Sequence, residues 1–399
     1  MSAETAEWAR LGTLLKGIDA GWSPSCEESV PGVNEWGVVR VSSVTSGSFL
    51  PQESKRLPSA LSPRESLEIR PGDLLMARAN GARNLVGTVC LVPETRSKLM
   101  LSDKVLRLIP DERVARADYL GTVLQSEPVR HQIASSLSGS TGQANISQEA
   151  VLNLRVPKKS VDEQRRIVEV LGAVDERILL ERVLLAKRQK VQEGALGELF
   201  ACHRQQFRAS RLMYVSKGPG DYGSSASAVE RYPGLPRYVR ITDIDDYGRL
   251  TQDPGSVMSV PLAVGRRYLL SEGDLLLART GFTTGKSYLY RAEDGFCSFA
   301  GYLVRFRIDP DKMFPAYAFF WTRSRWFKGW VARNVREVGQ RNISAAEYNL
   351  HEVPVPPLEV QEDVVRLGEG FQAELALRER EIDQLMRLKQ ALTRDLIGG

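Results

Sequence analysis

Gly281 to Ser287 reads GFTTGKS, a glycine-framed run ending in Lys286 and Ser287 that invites comparison with a phosphate-cradling P-loop. That motif needs four residues between its first glycine and the Gly-Lys pair. Counting back from Gly285 puts Thr280 where the first glycine should stand, so the loop is one residue short. The matching stretch earlier in the chain, Ala79 to Gly87, has no Gly-Lys-Ser, and a polar hairpin loop is the stronger reading of both. What the two loops share is a set of side chains. Arg78, Asn80, Arg83 and Asn84 in the first, and Arg279, Thr280, Thr283, Thr284 and Lys286 in the second, place guanidinium, amide, hydroxyl and ammonium groups at the mouth of a strand pair. These are the groups that read base edges and grip phosphates in DNA grooves. A second loop pair, GQANIS at Gly142 to Ser147 and GQRNIS at Gly339 to Ser344, adds Gln143, Gln340 and Arg341. Asn145, Ser147, Asn342 and Ser344 are the same in both copies, and for them the holding of turns through backbone hydrogen bonds is the better reading. Residues that differ between copies are the better candidates for reading sequence.

No paired-carboxylate, Ser/His/Asp or Cys/His constellation survives inspection, so no catalytic site is expected. Cys26, Cys90, Cys202 and Cys297 stand far apart without a C-x-x-C, and there are three histidines, so neither a zinc site nor a disulfide framework is expected. Cys202-His203 reads as a linker detail. The aromatic run Phe319 to Trp330 places Trp326 and Trp330 one helical turn apart, which points to core packing rather than to a platform for bases. Of 399 residues, 42% are hydrophobic and 26% charged, as in a globular protein. No apolar run approaches the ~18 residues needed to span a bilayer, and the polar start MSAETAEWAR is no signal peptide, so a cytoplasmic address is expected. The net charge of +5 leans weakly towards polyanions; the clustering of arginines between Arg266 and Arg341 says more.

The elements that must position these loops are written twice. GQANIS returns as GQRNIS after 197 residues, and the same offset aligns Val156-Pro157 with Val353-Pro354 and Gln164 with Gln361. Val39 to Val44 matches Val239 to Ile244 at 200, and Gly72 to Arg78 matches Gly273 to Arg279 at 201. Each copy ends in a long helix. The first starts behind Pro157, with Ser160 and Glu163 in capping-box spacing. Its seam runs through Ile167, Val170, Val174, Ile178, Glu181, Leu185, Arg188, Gln192, Ala195 and Leu199. In the second copy it becomes Val364, Leu367, Phe371, Leu375, Arg378, Ile382, Leu385, Lys389, Leu392 and Leu396. Two matched heptad seams predict that the helices pack on each other. The connectivity makes them antiparallel, since one ends and the other begins at the second domain. Within the domains the patterns predict helices at Trp8 to Lys16, Ala117 to Ser136 and Pro315 to Val331, and strands at Val38 to Val44, Val86 to Val92 and Val239 to Ile244.

The duplicated order of GDLLMARANGARNLVG and GDLLLARTGFTTGKS, YVRITDIDDYGRL, the GQxNIS loops, the following Val-Pro pairs and Glu163-Gln164 resembles the specificity (S) subunits of type I restriction-modification enzymes over nearly the whole chain. Two details depart from that pattern: Glu359-Val360-Gln361 before the second helix, and Lys158-Lys159 where the second copy has Val355-Pro356-Pro357 nearby. The resemblance implies an α+β fold with target recognition domains at 1–158 and 201–356. Conserved helices at 159–200 and 357–399 would form an antiparallel coiled coil in a pseudo-twofold repeat. It implies a non-catalytic reader of a bipartite double-stranded DNA target. The helices would dock two modification subunits and, with them, restriction subunits, with Ile167, Val174, Ile178, Leu185, Leu375, Ile382, Leu385 and Leu392 in the seam. S-adenosylmethionine, ATP and Mg would belong to those partners, with none bound by this chain. The rival reading is a duplicated scaffold that binds only proteins.

Overall fold

A computed structural model of the chain describes residues 7–139, 142–335 and 342–397. The fold divides into two units, Met1–Glu181 with Glu381–Gly399, and Arg182–Arg380. Each unit therefore takes one globular domain and a piece of each of two long helices.

Pro157 ends the strand Arg155–Pro157, and the first long helix, Val161–Gln206, opens just behind it. Its capping box forms as the spacing predicts. The Ser160 N–H donates to Glu163 Oε2 at 2.8 Å, and the Glu163 N–H donates to Ser160 Oγ at 3.3 Å. The second long helix, Leu358–Ile397, begins at the residue matching Val161 at the 197 offset, despite the altered Glu359-Val360-Gln361 run. A buried glutamine fixes both starts. Gln164 accepts from the Arg116 N–H at 2.8 Å and donates to the carbonyls of Val114 and Lys159. Gln361 accepts from the Phe314 N–H at 2.9 Å and donates to the carbonyls of Lys312 and Pro356. One side chain thus closes orphan backbone groups of its own domain and of the helix entrance at once.

Within each unit the helix pieces run antiparallel. In the first, Ile167 and Leu171 share a core with Leu392, Leu396 and Ile397, while Lys389 pairs with Asp175 at 2.6 Å and Arg177 with Glu381 at 2.9 Å. In the second, Leu196 and Phe200 share a core with Val364, and Arg188 pairs with Glu374 at 2.9 Å. The seam differs from the heptad count at several places, Arg188 being exposed and Leu196 and Phe200 replacing Ala195 and Leu199 as the buried pair. Val170 and Leu367 are exposed, and Leu171 and Gly368 are buried instead. The stripe is pulled round because each helix end packs on its own domain as well as on its partner. At Gly368 the ring of Phe320 sits where a Cβ would be, 2.4 Å away.

The first domain holds an antiparallel sheet ordered Leu15–Ala20, Val105–Pro110, Leu74–Ala77, Val89–Leu91, beside a three-stranded sheet of Ser54–Arg56, Gly37–Val39 and Leu99–Met100. The second domain repeats the first sheet as Asp221–Tyr222, Leu303–Arg307, Asp274–Ala278, Ser287–Leu289. In both, a largely buried arginine bridges two aspartates. Arg107 pairs with Asp19 and Asp73, and Arg305 with Asp221 and Asp274.

Several local expectations are overturned. The stretch Trp8 to Lys16 is not a helix. Trp8–Arg10 is a strand paired with Arg155–Pro157, Leu11–Leu14 is a 3-10 turn, and Leu15–Ala20 is an edge of the main sheet, so long-range pairing overrides helical spacing. The strand at Val38 stops at Val39 because Ser43 folds back, its N–H and hydroxyl both donating to the Arg40 carbonyl. Its counterpart stops at Val239, where Asp243 accepts from the Arg240 N–H. Each predicted domain helix is two: Ala117–Leu124 and Glu127–Ser135, then Pro315–Thr322 and Arg325–Asn334. Pro128 and the Ser324 cap restart the chain at the break. Trp326 and Trp330 pack against the second core as expected.

Candidate nucleic-acid interface

Both candidate loops leave the same place in the sheet. Strand Leu74–Ala77 leads into Arg78, and the chain returns where the Gly87 N–H donates to the Ala77 carbonyl at 2.8 Å. In the second domain Asp274–Ala278 leads into Arg279, and the Gly285 N–H donates to the Ala278 carbonyl at 2.9 Å. Both closing glycines have positive φ, 76° and 89°, and lie against a helix side chain, Ile133 and Val331 respectively. The loop roots are clamped by the second repeated motif. The Ile146 N–H donates to the Arg78 carbonyl at 3.0 Å, and the Ile343 N–H to the Arg279 carbonyl at 2.9 Å.

Asn145, Ser147, Asn342 and Ser344 hold turns. Asn145 Oδ1 accepts from the Ser138 hydroxyl, Asn342 Oδ1 accepts from Arg279 Nε, and Ser147 and Ser344 cap the short helices Gln148–Asn153 and Ala345–Asn349. In the first loop Asn80 spends its carbonyl oxygen on the Ala82 N–H, while Arg83 and Asn84, on a 3-10 turn, and Gln143 are exposed. Arg78 is half-buried. In the second loop Thr280 is buried, and the hydroxyls of Thr283 and Thr284 donate to the loop carbonyls of Thr280 and Gly281. Lys286 reaches Asp246 at 2.6 Å and holds that carboxyl below the usual carboxylate range. Arg279 lies 4.6 Å over the Tyr222 ring. Gln340 and Arg341 lie outside the described residues.

Sequence reasoning missed three features. Phe282, 96% exposed, crowns the second loop. Tyr222 braces that loop from a neighbouring strand, with its hydroxyl accepting from the Ala345 N–H. Each long helix also exposes apolar side chains outside the seam. Leu179, Leu180, Val183 and Val191 on one, and Leu377 and Leu388 on the other, are exposed. Ile167, Ile178, Leu375 and Ile382 are buried, and Val174, Leu185, Leu385 and Leu392 half-buried.

Among the described residues no cluster of three or more histidine, cysteine or acidic side chains has metal-holding geometry, and no helix is long and apolar enough to cross a membrane. His203 is buried beside Tyr317, its Nδ1 3.1 Å from the phenol oxygen, and Cys202 is exposed.

No family model matches the chain. Over 194 residues it is 37% identical to the EcoEI type I restriction enzyme specificity subunit of Escherichia coli, a stretch covering 48% of this chain and 32% of that protein. To the StySPI specificity subunit of Salmonella potsdam it is 22% identical over 380 residues, 90% of this chain and 80% of the relative. Its match therefore spans about a third of the first relative's length and most of the second's. The fold is that of the type I restriction-modification S subunit from M. genitalium, with TM-score 0.57, 12% identity, and 98% and 96% of the two chains covered. A chain from a structure addressing complex assembly and conformational transition of the type I system matches with TM-score 0.59, 20% identity, and 98% and 97% covered. In fold over nearly its whole length, and in sequence over about half of it, the chain is thus a relative of the specificity subunits of type I restriction-modification systems, the family its motifs resemble.

Proposed function

We propose that this chain is the DNA-reading, non-catalytic specificity subunit of a type I restriction-modification complex. One observation carries the reading: two copies of one loop frame, clamped alike at Arg78 and Arg279, present loops of different length and chemistry. A scaffold that binds only proteins has no need to vary polar loops on a constant frame; a reader of two unlike half-sites does. Target recognition domains at 1–158 and 201–356 would each read one half of a bipartite double-stranded target. Arg83, Asn84 and Gln143 are the foremost groups of the first reader, and Arg279, Phe282 and Lys286 of the second. The helices at 159–200 and 357–399 would hold the readers apart. Their seam joins helix to helix, so docking of two modification subunits falls to the exposed apolar side chains of the helices, Leu179 and Leu180 in the first unit and Val183 and Leu377 in the second. Those subunits would carry S-adenosylmethionine and methylate adenine, and restriction subunits would supply the ATP- and Mg-dependent steps, all in the cytoplasm.

The test is a sequencing map of methylated adenines in cells with and without the gene. A split motif that vanishes with the gene is the expected result. An unchanged map, with DNA binding by the purified complex that is weak and indifferent to salt, would leave the scaffold reading in its place.

A further inference from the structure

The two loop frames align closely enough to show what differs behind them. At a common offset of 198 residues Gly87 matches Gly285, Ser126 matches Ser324, Arg130 matches Lys328 and Ile133 matches Val331. In the first domain the helix Glu127–Ser135 reaches the loop. Arg130 is half-buried under it, Nη1 facing Gly87, and its Nη2 donates to the Asn84 carbonyl at 2.7 Å. Its Nη1 is buried with no hydrogen-bond partner among the described residues. The matching Lys328 does something else. It is exposed, with its ammonium 3.8 Å from Glu193, and a cavity of about 510 Å³ lies between its helix and the second loop, with Val331, Phe327 and Lys286 in its wall. The second loop is tied sideways instead, by the half-buried Lys286 reaching the exposed Asp246.

The two tethers are unequal in kind. A guanidinium hydrogen bond to a carbonyl is charge-assisted and directional, whereas an ion pair whose carboxylate stands in solvent contributes little and is screened by salt. The turn that Arg130 holds, Arg83–Leu85, carries the exposed side chains of Arg83 and Asn84. Its own hydrogen bonds are short-range, Leu85 N–H to Ala82 and Val86 N–H to Arg83. They keep the turn's shape without fixing where it points. Arg130 adds the link from that turn to the helix Glu127–Ser135 behind it. Placing a reading group within about half an ångström of its target geometry is what support from a neighbouring shell supplies.

We propose that Arg130 is a positioning residue for sequence recognition: touching no DNA itself, it sets the stringency of the first half-site by fixing the Asn84 carbonyl. The second half-site lacks this tether and is read with a loop that adapts more. The inference rests on the DNA-reading function proposed above.

Selection from randomised double-stranded DNA, with the full chain assembled with its modification subunits, tests it. The half-site that Arg83→Ala alters is the first. Arg130→Met should flatten base preference there on the order of tenfold while the second half-site keeps its profile, and Arg130→Lys, which retains one donor, should restore most of the preference. Arg113→Met, an exposed arginine of the same domain, should change neither. If Arg130→Met does not fold, Arg130→Gln carries the same comparison. An unchanged first half-site in the methionine or glutamine variant, or equal loss at both, overturns the role of Arg130 while leaving the DNA-reading function intact. A wild-type complex that selects no sequence removes both.

Discussion

Replacing Gln361 with leucine should destabilise the second unit by about 2 kcal/mol, although leucine matches its volume and the site is fully buried. The amide makes three hydrogen bonds, from the Phe314 N–H and to the carbonyls of Pro356 and Lys312. Lys312 is exposed, so water reaches its carbonyl most readily; the half-buried Phe314 N–H and the buried Pro356 carbonyl lose their partner. A buried donor or acceptor left unpaired costs about 1–3 kcal/mol, so two cost about 2–6, and the leucine side chain returns roughly 1.5–3 through its own burial. A loss near 2 kcal/mol corresponds to a fall of about 4–8 °C in the melting midpoint of a unit this size. Denaturant unfolding followed by tryptophan fluorescence reads it, because Trp321, Trp326 and Trp330 report on the second unit and Trp8, Trp22 and Trp36 on the first. Gln164→Leu should shift the other transition by a similar amount, and Gln384→Leu, an exposed helix position, neither. A Gln361→Leu protein within 0.5 kcal/mol of wild type, roughly the range of a neutral surface change, would refute the idea that this amide locks helix to domain.

Lys286→Ala or Arg279→Ala should weaken reading of one half-site only, by ~1–3 kcal/mol in a competition binding assay; equal effects on both half-sites would contradict domain-wise reading. Leu385→Asp with Leu392→Asp puts charge into the seam of the first unit and should lower its stability and release partner subunits on a sizing column. Leu179→Asp with Leu180→Asp, both exposed, should release partners with the fold intact, and full retention would remove those side chains from the docking surface. His351 supplies a pH signature. Burial pushes its pKa down to about 3, and its Nε2 accepts from Trp321 Nε1 at 2.8 Å. With the folded value below the unfolded one of about 6.5, its contribution is intact above pH ~6.5 and is lost as pH falls towards 3, by up to about 1.4 kcal/mol per pH unit. Stability curves for wild type and His351→Gln should therefore converge on acidification, and parallel curves would show that this imidazole takes up its proton equally in the folded and unfolded states.

Much of this architecture is legible in the letters because the chain repeats them. GQxNIS, Gly-Asp-Leu-Leu and the paired glutamines mark loop clamps, strand starts and helix entrances before any geometry is known. Trp8 to Lys16 was unreadable for a physical reason: its helical spacing is genuine, but its partner strand lies about 145 residues away and decides the outcome. The seam slipped at Val170 and Leu367 because heptads describe a helix facing one neighbour, and these helix ends face two. At the loops, residue type could nominate Thr283 and Thr284 but could not show that their hydroxyls are spent on the loop itself. Arg130 had no signature at all, since its target is a backbone carbonyl and any residue could stand at Asn84 to provide it.

The division of the chain into units also sets an order of events during synthesis. The second unit is one continuous stretch, 182–380, so everything its core requires has been made by the time that stretch has emerged. The first unit is different. Leu392, Leu396 and Ile397, the last buried to 1% exposure, pack with Leu14, Leu120 and Ile167 in a single core. The domain translated first must therefore wait, with part of its apolar surface uncovered, until residues 381–397 leave the ribosome, and the domain translated second finishes before it. That reverses the usual N-terminal-first sequence of domain folding. It also makes the completed first reader a proof that the whole stretch behind it has been translated.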